Sequence, residues 1–332
     1  MKIMVFDVGG TEIKYSVMDE QMHRTNSGAV PTPQDTQAQF LDAVYRLYAP
    51  HKDEVSGIAM ALPGFVDNRT GYVSNGGALL YNTATPVGQL LAEKCGCPVI
   101  LENDGKAAAM AELANGALKD CCNAAVFIIG TGVGGGIIAN GQLVRGVHFT
   151  AGEYSFVNTN AEAWDAPDQN MACQCSTSNL LKWYRARKAL PEDAPLDGRS
   201  FFAAANAGEP EALEVLRRFC HAVAVQIYNL TVLLDVEKVA IGGGISKQPL
   251  LLESLRSAYD GLYASRGGTS LHGGLTPLPD RALRLQQRGQ SGGPSLPHIL
   301  KLCRKSVDFQ PVSWYYICRV LCTQNTKQGD FE

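Results

Sequence analysis

Two glycine-rich loops, each set between two strand-forming segments, constrain this chain more than any other feature of its sequence. The first loop runs from Asp7 to Thr11 and the second from Gly130 to Gly136. Apolar or alternating residues precede and follow each loop, and Asn140-Gly141 beyond the second favours a tight turn. Both loops are therefore predicted to be turns between paired strands.

The second loop also satisfies the dinucleotide pattern Gly-x-Gly-x-x-Gly. That fold requires a helix directly afterwards, whereas a strand is predicted here. A Gly-x-x-x-x-Gly-Lys-Ser/Thr motif is absent from the sequence. Either loop alone would fit an ordinary turn, but glycines in a pair of such loops let backbone N–H groups approach phosphate oxygens, with threonine hydroxyls as further donors. The predicted phosphate-binding residues are Gly9, Gly10, Thr11, Gly130, Thr131, Gly132 and Gly134.

Length and composition indicate a globular protein of about two domains. The chain has 332 residues, of which 45% are hydrophobic and 18% charged, and its formal net charge is −3. So small a charge predicts neither a nucleic-acid nor a membrane partner. The N-terminus lacks a leader pattern and no apolar run approaches the ~20 residues of a membrane span, so we expect a cytoplasmic protein. Its ten cysteines are then expected to stay reduced.

Strands and helices alternate along the chain, which predicts α/β layers. Each half opens with a strand, a glycine hairpin and a second strand, and this suggests two duplicated α/β domains, residues 1–117 and 118–262, that face each other. Predicted strands include residues 55–61, 97–101, 124–129 and 236–241, and predicted helices 34–48, 106–113, 209–234 and 249–259.

Acidic residues follow two of these strands. Asn103 and Asp104 stand where a strand gives way to a helix, so either could simply cap that helix. Alternatively, Asp104 takes the proton of a hydroxyl that attacks a phosphate. Asp7 is either a turn former or a carboxylate that holds Mg²⁺ through water beside the first loop. Lys14 is either a solvated strand residue or a phosphate contact.

These motifs resemble those of the ROK family (repressor, open reading frame, kinase) of sugar kinases, within the hexokinase and actin-like ATPase superfamily. The matching segments, which span residue 1 to about 260, are Asp7–Thr11, Glu102–Asp104 with alanines at 107–109, Gly130–Gly136, Ala151–Glu153 and Ile241–Ser246. The resemblance implies two actin-like (ribonuclease H-like) α/β domains with an inter-domain active-site cleft.

The resemblance also assigns roles to individual residues. It implies that Asp104 is the general base and a sugar contact, that Asn103 and Glu153 bind sugar hydroxyls, and that Gly64 lies against the sugar. Taken alone, Glu153 would fit a surface acid. The nucleotide is expected to be ATP with Mg²⁺. The remaining implied residues, which flank the adenosine, are Gly242, Gly243 and Gly244.

The chain departs from the family pattern in the segment that binds zinc in many members. Cys173 and Cys175 are present, but Leu180 and Lys182 stand where a third cysteine and a glutamate are expected. Two thiols cannot complete a four-ligand site, so we expect no zinc. The family histidine is replaced by Phe156, as in β-glucoside kinases. Together with Trp164 it could line an open pocket for a β-glucoside, the alternative being that both rings belong to the core.

The C-terminus departs from the pattern as well. Residues 263–332 are expected to be a poorly ordered tail. From residue 265 to residue 305 they lack a helical or strand period, are rich in Gly, Pro and Ser, and contain seven basic residues and one acid. Back-translated with permitted codons, residues 285–301 read in the +1 frame as a peptide containing Ala-Asn-Leu-Val-Gly, which resembles the family's closing segment, followed by a stop codon. We therefore hypothesise a frameshift between residues 263 and 282, which resequencing of the coding DNA tests directly.

Three classes of protein share such loops. A sugar kinase needs both loops and a base, and the sequence has candidates for all three. A sugar-sensing repressor would carry a DNA-binding domain ahead of the first strand, which begins at Lys2, and an actin-like assembly protein would not need the sugar residues. The expected function is ATP-dependent phosphorylation of a glucose-type hexose or a β-glucoside such as cellobiose, at the 6-hydroxyl. A sugar-binding regulator or an inactive kinase homologue is the alternative. The sequence does not settle the oligomeric state, although homodimers are common in such families.

Overall fold

The computed structural model describes residues 1–266 and 283–285, which form two compact units. Unit 1 contains residues 1–116 and 145–151, and unit 2 contains residues 117–144, 152–266 and 283–285. Each unit is built on a five-stranded sheet with helices, as the alternation of the sequence predicts. The return of residues 145–151 to unit 1 was not predicted, because this short segment has no periodic pattern of its own.

Unit 1 has a mixed sheet in which strands one, four and seven run parallel. Its strand order is β3-β2-β1-β4-β7. Thr36 caps the first helix by accepting the N–H of Gln39 at 3.3 Å, and Phe40 and Val44, four residues apart, pack into the core. The elements are β1 (Lys2–Val8), β2 (Glu12–Asp19), β3 (Arg24–Pro31), α1 (Gln37–Tyr48), β4 (Ile58–Leu62), the short pair β5 (Phe65–Asp67) and β6 (Tyr72–Asn75), α2 (Val87–Cys95), β7 (Val99–Asn103) and α3 (Asp104–Asn115).

Unit 2 repeats this arrangement, with strand order β10-β9-β8-β11-β12. The longest helix, α7, starts with Pro210, whose missing N–H costs nothing in the first turn, and buries Phe219, Val223 and Ile227 against the sheet. The elements are β8 (Ala124–Ile129), β9 (Val133–Ala139), β10 (Gln142–Val144), α4 (Met171–Cys175), α5 (Thr177–Arg187), α6 (Gly198–Asn206), α7 (Pro210–Leu234), β11 (Lys238–Gly242), α8 (Pro249–Arg266) and β12 (Leu283–Leu285).

The expected domain boundary after residue 262 falls inside α8. The helix continues because its apolar side chains still have a core to pack against: Tyr259 is fully buried, and the Tyr263 ring lies 5.2 Å from it. Leu283–Leu285 of the expected tail pair in parallel with β11. The remainder of that tail, and with it most of the stretch on which the frameshift hypothesis rests, lies outside the described residues.

Two further properties concern the described part of the chain. Its seven cysteines are all free thiols. Its helices include none with the length and apolar character needed to cross a membrane.

Candidate active site

Three loops of unit 1 carry predicted site residues and leave the same edge of the sheet. The strands β1, β4 and β7 are parallel, with Asp7 opposite Ala61 and Leu62 opposite Asn103. Their carboxyl ends therefore lie side by side, which is where parallel sheets place ligands. The first glycine loop, the Gly64 turn and the start of α3 all follow these ends.

Asn103 and Asp104 are joined by hydrogen bonds at the start of α3. The buried Asn103 side chain accepts the Lys106 N–H at 2.9 Å, so the helix-cap interpretation is correct for this residue. Its amide group also donates to Asp104 Oδ1 at 3.1 Å and to the Gly64 carbonyl at 3.0 Å. The Gly105 N–H donates to the same Asp104 oxygen at 2.8 Å. The exposed Asp104 carboxylate is thus held in a fixed orientation.

Gly64 occupies a position that only glycine fits. Its φ is +103°, and a Cβ there would lie 2.0 Å from the Asn75 carbonyl oxygen. The turn therefore packs directly on the loop that follows β6. The hydrogen bond from the Asn103 side chain to the Gly64 carbonyl holds this turn beside the start of α3, where Asp104 stands.

Sequence reasoning missed the side chains behind this cluster. Glu102 is fully buried, and its Oε1 accepts the Asn103 N–H at 3.0 Å. Arg145 approaches Oε2 with both Nε and Nη2 at 3.1 Å. Burial raises the pKa of Glu102, and the attraction of Arg145 opposes that rise. A carboxylate in a predicted buried strand indicates that a cationic side chain must pair with it, but the sequence does not identify that side chain.

The first glycine loop is closed by its own backbone and by two polar side chains. The Gly9 N–H donates to the Glu12 carbonyl at 2.9 Å. Thr32 Oγ1 donates to the Gly9 carbonyl at 2.8 Å, and Gln34 Nε2 donates to the Gly10 carbonyl at 2.7 Å. The Gly9 N–H is therefore used within the loop.

Asp7 and Lys14 face each other across the β1–β2 pair that carries this loop. Lys14 also lies 3.7 Å from Glu12, so it belongs to a small charged group at the loop. Burial raises the pKa of Asp7, and the positive charge of Lys14 partly offsets that rise. Lys14 is therefore not a fully solvated strand residue, because it is half-buried and lies beside the Glu12 carboxylate.

Replacing Asp7 by Asn is expected to raise thermal stability at neutral pH in the absence of nucleotide. An acid whose pKa is higher in the folded state binds its proton more tightly there, so stability falls as pH rises from about 3.9, the unfolded value, through the folded pKa. The amide does not ionise and avoids this loss. Thermal unfolding from pH 4 to 8 measures the effect. The melting temperature of Asp7→Asn should exceed that of the wild type at pH values above the folded pKa of Asp7, and the two should be equal at the acidic end of the range. A gain that is equal at all pH values would contradict it.

The second glycine loop is held in unit 2 by residues that the sequence did not single out. The Gly130 N–H donates to the Gly132 carbonyl at 2.9 Å, so this N–H, like that of Gly9, is used inside its loop. Ser155 Oγ accepts the Val133 N–H at 3.0 Å and donates to the Val133 carbonyl at 3.1 Å. The Thr177 N–H, at the start of α5, donates to the Gly130 carbonyl at 2.8 Å. Thr131 at the loop tip is exposed.

The third glycine cluster lies beside the second loop. β8 and β11 are parallel, with Ile128 opposite Gly242, so both loops leave the same sheet edge. Gly243 has φ +96°, and a Cβ there would lie 2.1 Å from the Ile129 carbonyl oxygen. Gly244 is exposed at the start of a short 3-10 turn. The structure thus brings the predicted phosphate and adenosine glycines of unit 2 together.

Glu153 is half-buried and follows Gly152, whose Cβ position would lie 3.2 Å from Gly136 Cα. This close approach places Glu153 next to β9, within the unit that carries the second loop.

The segment that corresponds to the zinc-binding segment of many family members contributes to the core of this chain. Cys175 and Leu180 are buried in the hydrophobic core of unit 2, while Lys182 is exposed. Across residues 1–266 and 283–285, no group of three or more metal-ligating side chains is found. The core alternative for the two aromatic residues is wrong, because Phe156 is 68% exposed and Trp164 is 75% exposed.

Comparison with known proteins assigns the chain to a family. The family described as "ROK family" matches residues 3–272. The β-glucoside kinase of Listeria innocua is 31% identical over 258 residues, covering 77% of this chain and 87% of its own length. The N-acetyl-D-glucosamine kinase of Vibrio atlanticus is 30% identical over 277 residues, covering 75% of this chain and 86% of its own.

A solved structure supports the fold. The ROK glucokinase of Streptomyces griseus, determined with glucose and AMPPNP, superposes with a TM-score of 0.71 at 24% identity, covering 87% of this chain and 95% of its own. The predicted actin-like fold class is thereby confirmed. The sequence relatives confirm the expectation of a sugar kinase, and the chain belongs to the ROK family.

Proposed function

We propose that this protein transfers the terminal phosphate of ATP to a sugar hydroxyl, the 6-hydroxyl of a glucose-type hexose or of a β-glucoside. One observation carries the proposal: an oriented, exposed carboxylate, Asp104, stands at the same sheet edge as the first glycine loop. A sugar hydroxyl is a poor nucleophile, and a positioned carboxylate that removes its proton is the usual solution in phosphoryl transfer.

The remaining predicted residues have complementary roles in this proposal. Asn103 and Glu153 bind sugar hydroxyls, and the Gly64 turn lies against the sugar. Since the N–H groups of Gly9 and Gly130 are used inside their loops, phosphate binding falls to other loop groups. These groups are the two threonine hydroxyls and the N–H groups of Gly10, Thr11, Thr131 and Gly132. Lys14 and Gly134 assist them. The Gly242–Gly244 segment flanks the adenosine.

Asp7 fits the Mg²⁺ that accompanies ATP. Its pKa is raised by burial, so a cation nearby would restore the ionised form that the protein environment disfavours. Mg²⁺ commonly keeps several waters and uses one or two carboxylates plus substrate phosphates, which suits a single acid beside a phosphate loop. When bound, the ion neutralises charge on the phosphates.

The finer proposal is that the sugar is a β-glucoside. Trp164 lies in a loop closed by a bridge between Asn158 and Asn170, and its backbone carbonyl accepts the Asn158 side-chain amide at 3.4 Å. The loop presents exposed aromatic surface beside amide groups. Aromatic faces pack on the C–H surfaces of sugars while amides bind hydroxyls, so this surface could receive the second sugar of a disaccharide.

A coupled ADP-release assay tests both levels of the proposal. Glucose, mannose, N-acetylglucosamine, cellobiose and methyl β-glucoside are compared as acceptors, and activity with at least one is expected. Trp164→Ala is expected to lower kcat/KM for cellobiose about tenfold, equivalent to the roughly 1.4 kcal/mol of one aromatic contact, without changing that for glucose.

Leu233→Ala is the matched control, since Leu233 is 80% exposed on α7 of the same unit. Equal losses with glucose and cellobiose in Trp164→Ala, or strict use of monosaccharides by the wild type, would exclude the β-glucoside proposal. Inactivity with every sugar would instead favour a regulator or an inactive homologue.

A further inference from the structure

Glu102 is the point at which a buried charge meets the proposed catalytic segment. It is the last but one residue of β7 and is fully buried. Its two carboxylate oxygens have different partners: Oε1 receives the N–H of Asn103, and Oε2 receives two nitrogens of Arg145. A buried carboxylate is costly unless paired and hydrogen-bonded, and here both conditions are met.

The bonds form one continuous path to the base. Arg145 fixes the Glu102 carboxylate, the carboxylate fixes the backbone of Asn103, and the Asn103 side chain fixes both Asp104 and the Gly64 carbonyl. An ion pair that served stability alone would not need the oxygen that holds the Asn103 N–H. Proton transfer needs the base within hydrogen-bond reach of the sugar hydroxyl, so a small shift of this backbone would be felt there.

We propose that Glu102 and Arg145 are a positioning pair that holds Asn103 and Asp104 in their working orientation. The proposal rests on the function proposed above, with Asp104 as the base. Neither residue needs to touch the sugar or the nucleotide. Their effect is expected on the sugar side of the reaction and not on ATP binding.

Glu102→Leu tests the proposal because it removes both acceptor oxygens. The kcat/KM for the best sugar is expected to fall about 10²-fold, the size of effect that a misplaced catalytic group produces. The Kd for a non-hydrolysable ATP analogue, measured by calorimetry without sugar, is expected to stay unchanged. Glu102→Gln keeps an acceptor for the Asn103 N–H and should recover most of the lost activity.

The double variant Glu102→Leu/Arg145→Met separates positioning from stability. It removes both partners of the ion pair, so it should regain the melting temperature that Glu102→Leu loses, or fold where that variant does not. Its sugar kinetics should nevertheless remain impaired. Val44→Ala, which opens a cavity under α1 in the same unit, is the control for destabilisation without displacement of the base.

Three results would overturn the positioning role. The first is that Glu102→Leu has wild-type sugar kinetics. The second is that the double variant recovers sugar kinetics together with its melting temperature. The third is that Val44→Ala loses as much sugar kcat/KM as Glu102→Leu for the same loss of melting temperature. A wild-type protein that is inactive with all sugars refutes the proposed function instead, so the two failures are distinguishable.

Discussion

Asp104→Asn is expected to lower kcat about 10²- to 10⁴-fold, the contribution typical of a general base. The amide keeps the size of the side chain and can still accept the Gly105 N–H, but it cannot take up the proton of the attacking hydroxyl. Binding of ATP should persist, because the glycine loops are unaltered. The measurement pairs the coupled assay with calorimetry of an ATP analogue.

Asp53→Asn makes the same chemical change at an exposed site of unit 1 and serves as the control. It should leave turnover intact. An Asp104→Asn variant that phosphorylates sugar at the wild-type rate would refute the assignment of the base. Loss of ATP binding in that variant would indicate a structural role and contradict the expected separation of binding from chemistry.

Gly135→Ala is expected to destabilise the second glycine hairpin strongly. Gly135 has φ +146°, and a Cβ would lie 1.8 Å from the Val126 carbonyl oxygen and 2.9 Å from the Tyr154 ring. The β8–β9 ladder, in which Gly135 faces Phe127, would have to shift. Backbone strain and overpacking together cost at least about 3 kcal/mol, which lowers the melting temperature by roughly 6–12 °C.

Gly134→Ala is a closely matched control, since a Cβ at this neighbouring position meets nothing within 4 Å. Its melting temperature should stay close to that of the wild type. Thermal unfolding is the appropriate measurement because both glycines belong to the proposed phosphate hairpin, where activity would mix two effects. Equal melting temperatures for the two variants would show that the hairpin tolerates the methyl group and would contradict the expected clash.

Much of the fold could be predicted because its signals are local. Continuous apolar runs give the buried strands, and the three- and four-residue spacing along α7 gives its buried face. The third strand of unit 1, β3, was missed because most of its residues are exposed and no apolar period marks it. The extension of α8 past residue 262 was missed because it depends on packing partners that lie far away in sequence.

The sequence alone determined the two hairpin loops and the carboxylate at the start of α3, because glycine patterns, strand periods and cap residues are written within a few neighbouring positions. Only the tertiary structure decided which groups hold these pieces. Arg145 reaches Glu102 across 43 positions, and Thr177 reaches Gly130 across 47. Such contacts depend on how distant segments pack. A buried charge or carbonyl needs a hydrogen-bonding partner, and packing brings that partner from any part of the chain.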